Sequence, residues 1–152
     1  MEPPRLAFAF ALHAEVGAPI DVGETPRGRR RMVPIVGGRF EGPGLRGRVL
    51  PGGADWQLVH GDGTSELDSR YLLEVEQGGL ISVRNRGLRR AAPDVMARLL
   101  AGEPVDPALV YFVTTPTFET GAADLQWLTR SLFIGTGRRQ PRTVQIEFWK
   151  IG

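Results

Sequence analysis

The chain has 152 residues, enough for one well-buried core, and its 41% hydrophobic and 24% charged residues exclude a disordered polymer. Its isoelectric point is about 9.6, yet the formal net charge is only +2, and all but one of the 19 cations are arginine, Lys150 being the exception. A high isoelectric point of this origin reports arginine usage and not the strong basic field of a nucleic-acid binder, while the lack of cysteine excludes disulfides and thiolate chemistry.

The 20 glycines and 12 prolines recur along the whole chain, which suits many short strands joined by tight turns. At the start, Leu6, Phe8, Phe10 and Leu12 alternate with Ala7, Ala9, Ala11 and His13. Period two predicts a strand with its bulky residues on one face, and not a signal peptide. No stretch approaches the roughly 18 apolar residues of a membrane span, so a cytoplasmic location is expected. Gly17-Ala-Pro is a break, and Val22 to Arg31 reads as a polar connection. Met32 to Val36 is a short strand ended by Gly37-Gly38. Arg39 to Glu41 and Leu45 to Leu50 flank Gly42-Pro43-Gly44, and Asp55 to His60 follows the turn Pro51-Gly52-Gly53.

Leu67 to Gly87 is the most informative stretch. With Gln77-Gly78-Gly79 as a three-residue loop, Val75 faces Ile81, Leu73 faces Val83 and Tyr71 faces Asn85. This register keeps apolar partners on one face and Arg70, Leu72, Glu74, Ser82, Arg84 and Arg86 on the other. Pro93 to Ala101 predicts one helix, opened by proline and stopped by Gly102, with Val95, Met96, Leu99 and Leu100 as its buried stripe. Val110 to Thr115 is a strand, Ala123 to Arg130 a helical turn presenting Leu125 and Leu128, and Val144 to Ile151 a closing strand. Nine or ten strands exceed what one flat sheet usually carries. The expected fold is therefore mostly β, a single antiparallel β-barrel with one short helix, spanning residues 1–152 as one domain.

Motifs for metal and nucleotide chemistry are missing. His13 and His60 are the only histidines, and they lie on separate strands without ligand spacing, so no metal site is expected. Gly37-Gly38 and Gly42-Pro43-Gly44 open no helix, which excludes a phosphate loop or dinucleotide turn. The basic clusters Gly28 to Arg31 and Gly137 to Arg142 read as solvated loops or edge protection, with no aromatic series for stacking nucleic acid. Aromatic and polar groups do recur at strand centres and turn exits. These are Asp55-Trp56, Asp68 to Tyr71, Arg84 to Arg86, Tyr111, Phe118-Glu119 and Trp127. A barrel can converge such groups on an apolar pocket. The bland alternative makes Trp56, Tyr71 and Tyr111 core residues and joins Asp68 to Arg70 as an exterior ion pair.

Several segments resemble one bacterial and fungal family, catalogued as domain of unknown function 3237. They are Gly37 to Gly42, Leu45 to Trp56, Asp68 to Tyr71, Tyr111-Phe112, Thr115 to Gly121 and Trp127 to Arg130. The resemblance covers essentially the whole chain. It implies a one-domain barrel of the calycin or allene-oxide-cyclase kind and no established reaction. Matching the family pattern points to Asp55, Trp56, Asp68, Arg70, Tyr71, Arg84, Tyr111, Glu119 and Trp127. The turn Glu76-Gln-Gly-Gly79 departs from the acidic residue that the family often has before glycine.

The expectation is a barrel that binds a small, largely apolar, oxygenated metabolite without a cofactor, a membrane or nucleic acid as partner. In an enzyme, Asp55 or Glu119 would exchange the proton and Arg70 or Arg84 would hold the developing anion, with Trp56, Asp68, Tyr71, Tyr111 and Trp127 lining the site. Isomerisation, cyclisation, hydration and lactone opening all need only that set. The rival expectation is a non-catalytic carrier or a structural homo-oligomer with a filled interior.

Overall fold

The computed structural model describes all 152 residues. Ten strands run in chain order. They are β1 (Leu6–Val16), β2 (Ile20–Thr25), β3 (Gly28–Gly42), β4 (Leu45–Val49), β5 (Gly53–Val59), β6 (Ser65–Val75), β7 (Leu80–Arg90), β8 (Tyr111–Thr120), β9 (Leu132–Arg139) and β10 (Thr143–Ile151). Helix α1 (Pro93–Leu100) lies between β7 and β8, and short 3-10 segments occupy Pro107–Leu109 and Ala123–Leu128. No helix is long and apolar enough to cross a membrane.

Every pairing is antiparallel, in the order β1-β10-β9-β8-β7-β6-β4-β3, and β1 returns to pair with β3. The result is a closed eight-stranded barrel, as the punctuation and alternation predict. Strand β5 shares the place of β4 between β3 and β6. Strand β2 lies outside the ring, paired only with the first half of β3.

Three local expectations are corrected. Val22 to Arg31 is not a connection but most of a hairpin, with Thr25 opposite Gly28 and Asp21 opposite Arg31. Gly28 has φ +135°, and the Thr25 hydroxyl donates to its carbonyl at 2.7 Å. Charged side chains hide this strand because much of it faces water. Gly37-Gly38 does not end β3 either. The strand bulges there as it meets β1, between the pairs Glu15–Gly37 and Val16–Ile35. Gly38 has φ +129°, and a Cβ at that position would lie 2.1 Å from the carbonyl oxygen of His13, so only glycine admits the closing strand. A second bulge, between Phe8 and Phe10, splits the bulky face of β1. Phe8 turns outward onto Trp149, with ring centroids 5.4 Å apart, while Phe10 and Leu12 stay inside.

The β6–β7 hairpin buries the predicted face, Tyr71, Leu73, Val75, Ile81 and Val83, but in a register two residues away. Leu73 pairs with Ile81 and Tyr71 with Val83. Gly78 and Gly79 both take positive φ, and the Val75 N–H donates to the Gly79 carbonyl at 3.0 Å. The three-residue loop is thus Glu76-Gln77-Gly78, one residue earlier than Gln77-Gly78-Gly79. A shift of two preserves the face, because side chains alternate with period two. Helix α1 follows its expected span, with Pro93 in its first turn and Gly102 at φ +79° after it.

One end of the interior is solidly aromatic. Phe10 packs against Phe148 at 4.9 Å, Phe118 at 5.7 Å and Phe40 at 5.8 Å, with Phe133 on Phe118 at 5.1 Å. Strands β8 and β9 pair over only two residue pairs, and the 3-10 segment between them buries Leu125 and Leu128 in this cluster. Leu73 is fully buried here whereas its neighbour Leu72 is 43% exposed. Leu73→Ala is therefore expected to lower the unfolding free energy by about 2–5 kcal/mol. Leu72→Ala should change it by about half a kcal/mol or less, as read by urea titration of both variants.

Candidate functional site

The alternation that builds the aromatic end continues toward the other end of the barrel with different residues. On β6 the inward series Val75, Leu73, Tyr71 goes on to Ser69, Leu67 and Ser65, and on β7 the series Ile81, Val83 goes on to Asn85 and Arg89. Strand β5 contributes Asp55 and Gln57, β8 contributes Phe112 and Thr114, and β9 contributes Arg139. These groups line a narrow cavity of about 40 Å³ whose remaining wall is apolar, with Leu12, Val33 and Ile146 among its members. Arg31 reaches the same end from β3, where its Nη1 donates to the Leu100 carbonyl at the end of α1, 3.4 Å away.

Asp55 is the one carboxylate among the lining residues. Its Oδ2 accepts from the Gln57 amide at 2.7 Å, and its Oδ1 accepts from the Ser69 hydroxyl at 3.0 Å and the Asp68 N–H at 3.2 Å. These three donors hold the carboxylate in one orientation. Nearby, burial and then the Asp55 carboxylate push the Tyr71 phenol well above its ordinary value. Burial pushes the Arg89 guanidinium down to about 10, against the opposing pull of Asp55, so it remains a cation at neutral pH. Arg139 and Arg31 are lowered for the same first reason, desolvation. Arg89 is only 3% exposed, and its Cζ lies 5.8 Å from the centre of the Phe112 ring.

Unpartnered polar atoms concentrate in this half of the barrel. The buried Tyr71 hydroxyl, Asn85 Oδ1, Thr114 Oγ1, Gln57 Oε1, Ser65 Oγ, Arg31 Nε and Arg89 Nε have no hydrogen-bond partner in the protein. Such groups are sparse in native structures and each asks for an explanation. Five of the seven, on Gln57, Tyr71, Asn85, Arg89 and Thr114, belong to residues that line the one cavity.

The residues named from the sequence divide between inside and outside. Asp55 and Tyr71 come together in the cavity. Trp56, one residue on, faces outward and is 53% exposed, because β5 pairs with β3 and β6 without any bulge at Gly52-Gly53. Asp68 lies on the outer face and is not joined to Arg70. It takes both arms of Arg84, each at 3.0 Å, which lowers the Asp68 pKa and raises that of Arg84. Glu119 also faces outward, in a surface groove with Arg70 and Arg84. The stretch around it is regular strand, with Pro116 opposite Asn85, so Phe118 points in and Glu119 out. Asp55 and Glu119 therefore lie on opposite sides of the barrel wall and share no pocket. Tyr111 is exposed beneath Arg90, with 4.8 Å between Cζ and the ring centre. Trp127 packs on Phe133 at the aromatic end.

Sequence reasoning missed Arg31, Arg89, Arg139, Gln57 and Thr114; Asn85 it placed on the face of Tyr71 and among the recurring polar groups, without choosing it as a site residue. For Arg89 the signal was available, since it continues the odd-numbered series Ile81, Val83, Asn85. For Arg31 it was also available, as the residue two before Val33 and four before Ile35.

Fold and site together define a closed antiparallel barrel with an aromatic core at one end and a polar, cation-rich chamber at the other. The chain belongs to the family described as a protein of unknown function, DUF3237, whose pattern matches residues 4–151. A UPF0311 protein of Rhodopseudomonas palustris is 40% identical over 144 residues, covering 95% of this chain and 94% of that protein. The crystal structure of a conserved protein of unknown function from the same organism superposes with a TM-score of 0.95 at 36% identity, covering all of both chains. More distantly, a hydroalkoxylation enzyme of Penicillium herquei is 23% identical over 149 residues, covering 98% of this chain and 85% of the enzyme.

A phenol whose folded pKa is raised stabilises the protein below its unfolded value, and that contribution is lost as pH rises above about 10. Tyr71 is such a group. Wild type should therefore lose stability in alkali more steeply than Tyr71→Phe, measured as urea midpoints between about pH 9 and 11. Parallel curves for the two proteins would mean that Tyr71 is in contact with bulk water.

Proposed function

We propose that the polar chamber binds a small oxygenated organic molecule and carries out acid–base chemistry on it, with Asp55 as the group that exchanges the proton. The observation that carries this reading is the single carboxylate inside the barrel, oriented by Gln57, Ser69 and the Asp68 N–H beside the Tyr71 hydroxyl and the Arg89 guanidinium. A fixed carboxylate next to a fixed cation supplies a proton acceptor and a partner for negative charge developing on oxygen. The apolar wall excludes competing water and takes the hydrocarbon part of the molecule. The exterior groove with Glu119, Arg70 and Arg84 does not meet these requirements, because its charges are solvated and Arg84 is already paired.

Hydroalkoxylation, the activity named for the fungal relative, is one reaction of this type. The O–H and carbon–carbon π bonds break, one C–O and one C–H bond form, and the proton is conserved, so an acid–base group suffices. A barrel of this chemistry accepts a hydroxy-alkene or an enolisable ketone as substrate class.

The test is a panel of hydroxy-alkenes and enolisable ketones incubated with the protein in D₂O and followed by mass spectrometry for cyclic ether formation and deuterium uptake. Wild type is expected to turn over at least one class, and Asp55→Asn to be slower by about 100-fold or more. Glu119→Gln should match wild type. Turnover by Asp55→Asn at the wild-type rate would remove Asp55 from the chemistry.

A further inference from the structure

The charges of this protein are distributed in an unusual way. On the outside, arginines find carboxylates: Arg29 with Asp21, Arg48 with Glu74, Arg84 with Asp68 and Arg98 with Glu103. Exposed pairs of this kind contribute little. Inside the barrel, where an unpaired charge is costly, Arg31, Arg89 and Arg139 have no carboxylate within 4.0 Å, for none of the eight ion pairs includes them. Asp55 is near enough to favour the charged form of each, yet the hydrogen bonds its oxygens accept come from Gln57, Ser69 and the Asp68 N–H and from none of these arginines. Among the lining residues, two cations, Arg89 and Arg139, face one anion, and Arg31, drawn first to Asp21 and then to Asp55, stands behind them.

We infer that the chamber is a receptor for an organic anion, a small carboxylate with an apolar body, whose charged oxygens meet Arg89 and Arg139. This deepens the reading of the chamber as the binding site and rests on it. Arg89 is the built part of the receptor. It is 3% exposed, lies over Phe112, and its Nε has no partner. The Tyr71 and Thr114 hydroxyls, buried and unpartnered, are further donors beside it. Leu12, Val33 and Ile146 offer the apolar wall against which the body of the acid rests. The guanidinium fork suits a carboxylate because two parallel N–H groups match its two oxygens. Asp55 lies in the same chamber and disfavours a second negative charge near itself, which limits the ligand to a monoanion.

Benzoate, its neutral isostere benzamide, and sulfate serve as probes of the full-length protein by titration calorimetry at low salt. Wild type is expected to bind benzoate at least about tenfold more tightly than benzamide, the preference that a charge-assisted pair confers, and at least about tenfold more tightly than sulfate, which has a second charge and no apolar body for the wall. Arg89→Met and, separately, Arg139→Gln should bring benzoate to within about threefold of benzamide while circular dichroism stays that of the wild type. Two substitutions on different strands guard against one that fails to fold. Asp55→Asn should bind benzoate at least as well as wild type, so loss of turnover in that variant and loss of anion binding in the arginine variants are separate results. Equal affinity for benzoate and benzamide, equal affinity for sulfate, no benzoate binding by wild type, or undiminished preference in folded Arg89→Met would each overturn the inference. None of these outcomes would bear on whether Asp55 transfers a proton.

Discussion

Closure of the sheet is the constraint from which the rest follows. Strand β1 pairs with β10 on one side and β3 on the other, and a strand held on both sides cannot rotate. Each side chain is then committed to the interior or to water by its parity alone. An arginine on the inner parity, such as Arg89, cannot relieve its burial by swinging out. The same commitment separates Asp55 from Trp56, which are neighbours in sequence and lie on opposite sides of the wall. Two bulges, at Ala9 and at Gly37-Gly38, are the places where the rule is reset so that the ring can close.

The two ends of the interior have opposed energetics. The phenylalanine cluster around Phe10 and Phe148 is dense and fully apolar, and burial of such rings is the main stabilising contribution available to a domain of this size. The other end buries guanidinium groups and hydroxyls without partners, an arrangement that opposes folding. Proteins tolerate such local conflicts where a ligand or a reaction needs them. The aromatic end, tied together by strands and sealed by Leu125 and Leu128, offsets the cost of the polar one. This division explains why the chamber can be pre-formed: its walls are the continuation of strands whose other halves are locked in the core.

Much of the fold was legible in the sequence, because it depends on local periodicity. The alternation of Tyr71, Leu73 and Val75 against Ile81 and Val83, the proline-opened helix at Pro93, and the closing strand to Ile151 each carry their own signal. A barrel followed from strand number and glycine spacing. The candidate site was legible only in part. Asp55 and Tyr71 stood out as polar or aromatic residues near turns and strand centres, but so did Trp56, Asp68, Arg84 and Glu119, which face water. Taken alone, Gly28 to Arg31 does not distinguish a solvated loop from a strand with one arginine turned inward; only its parity with Val33 and Ile35 assigns Arg31 to the inner face.

The sequence by itself determined which residues share a face, since the period of a strand is a property of the backbone. Where that face is apolar the sequence also determined the inside; tertiary structure alone decided how the strands are offset and where a bulge resets the parity, as between Phe8 and Phe10. The shift of two residues in the β6–β7 hairpin is the plainest case: it leaves every face unchanged, so no pattern of hydrophobicity could detect it, and yet it decides that Tyr71 lies across from Val83 and Ser69 across from Asn85. Likewise, Arg31, Arg89 and Arg139 are 58 and 50 residues apart along the chain, and each is on its own an unremarkable arginine beside other arginines. They become one cationic chamber only because closure of the ring brings β3, β7 and β9 around a common axis, and the low dielectric of that interior turns three ordinary charges into a demand for an anion.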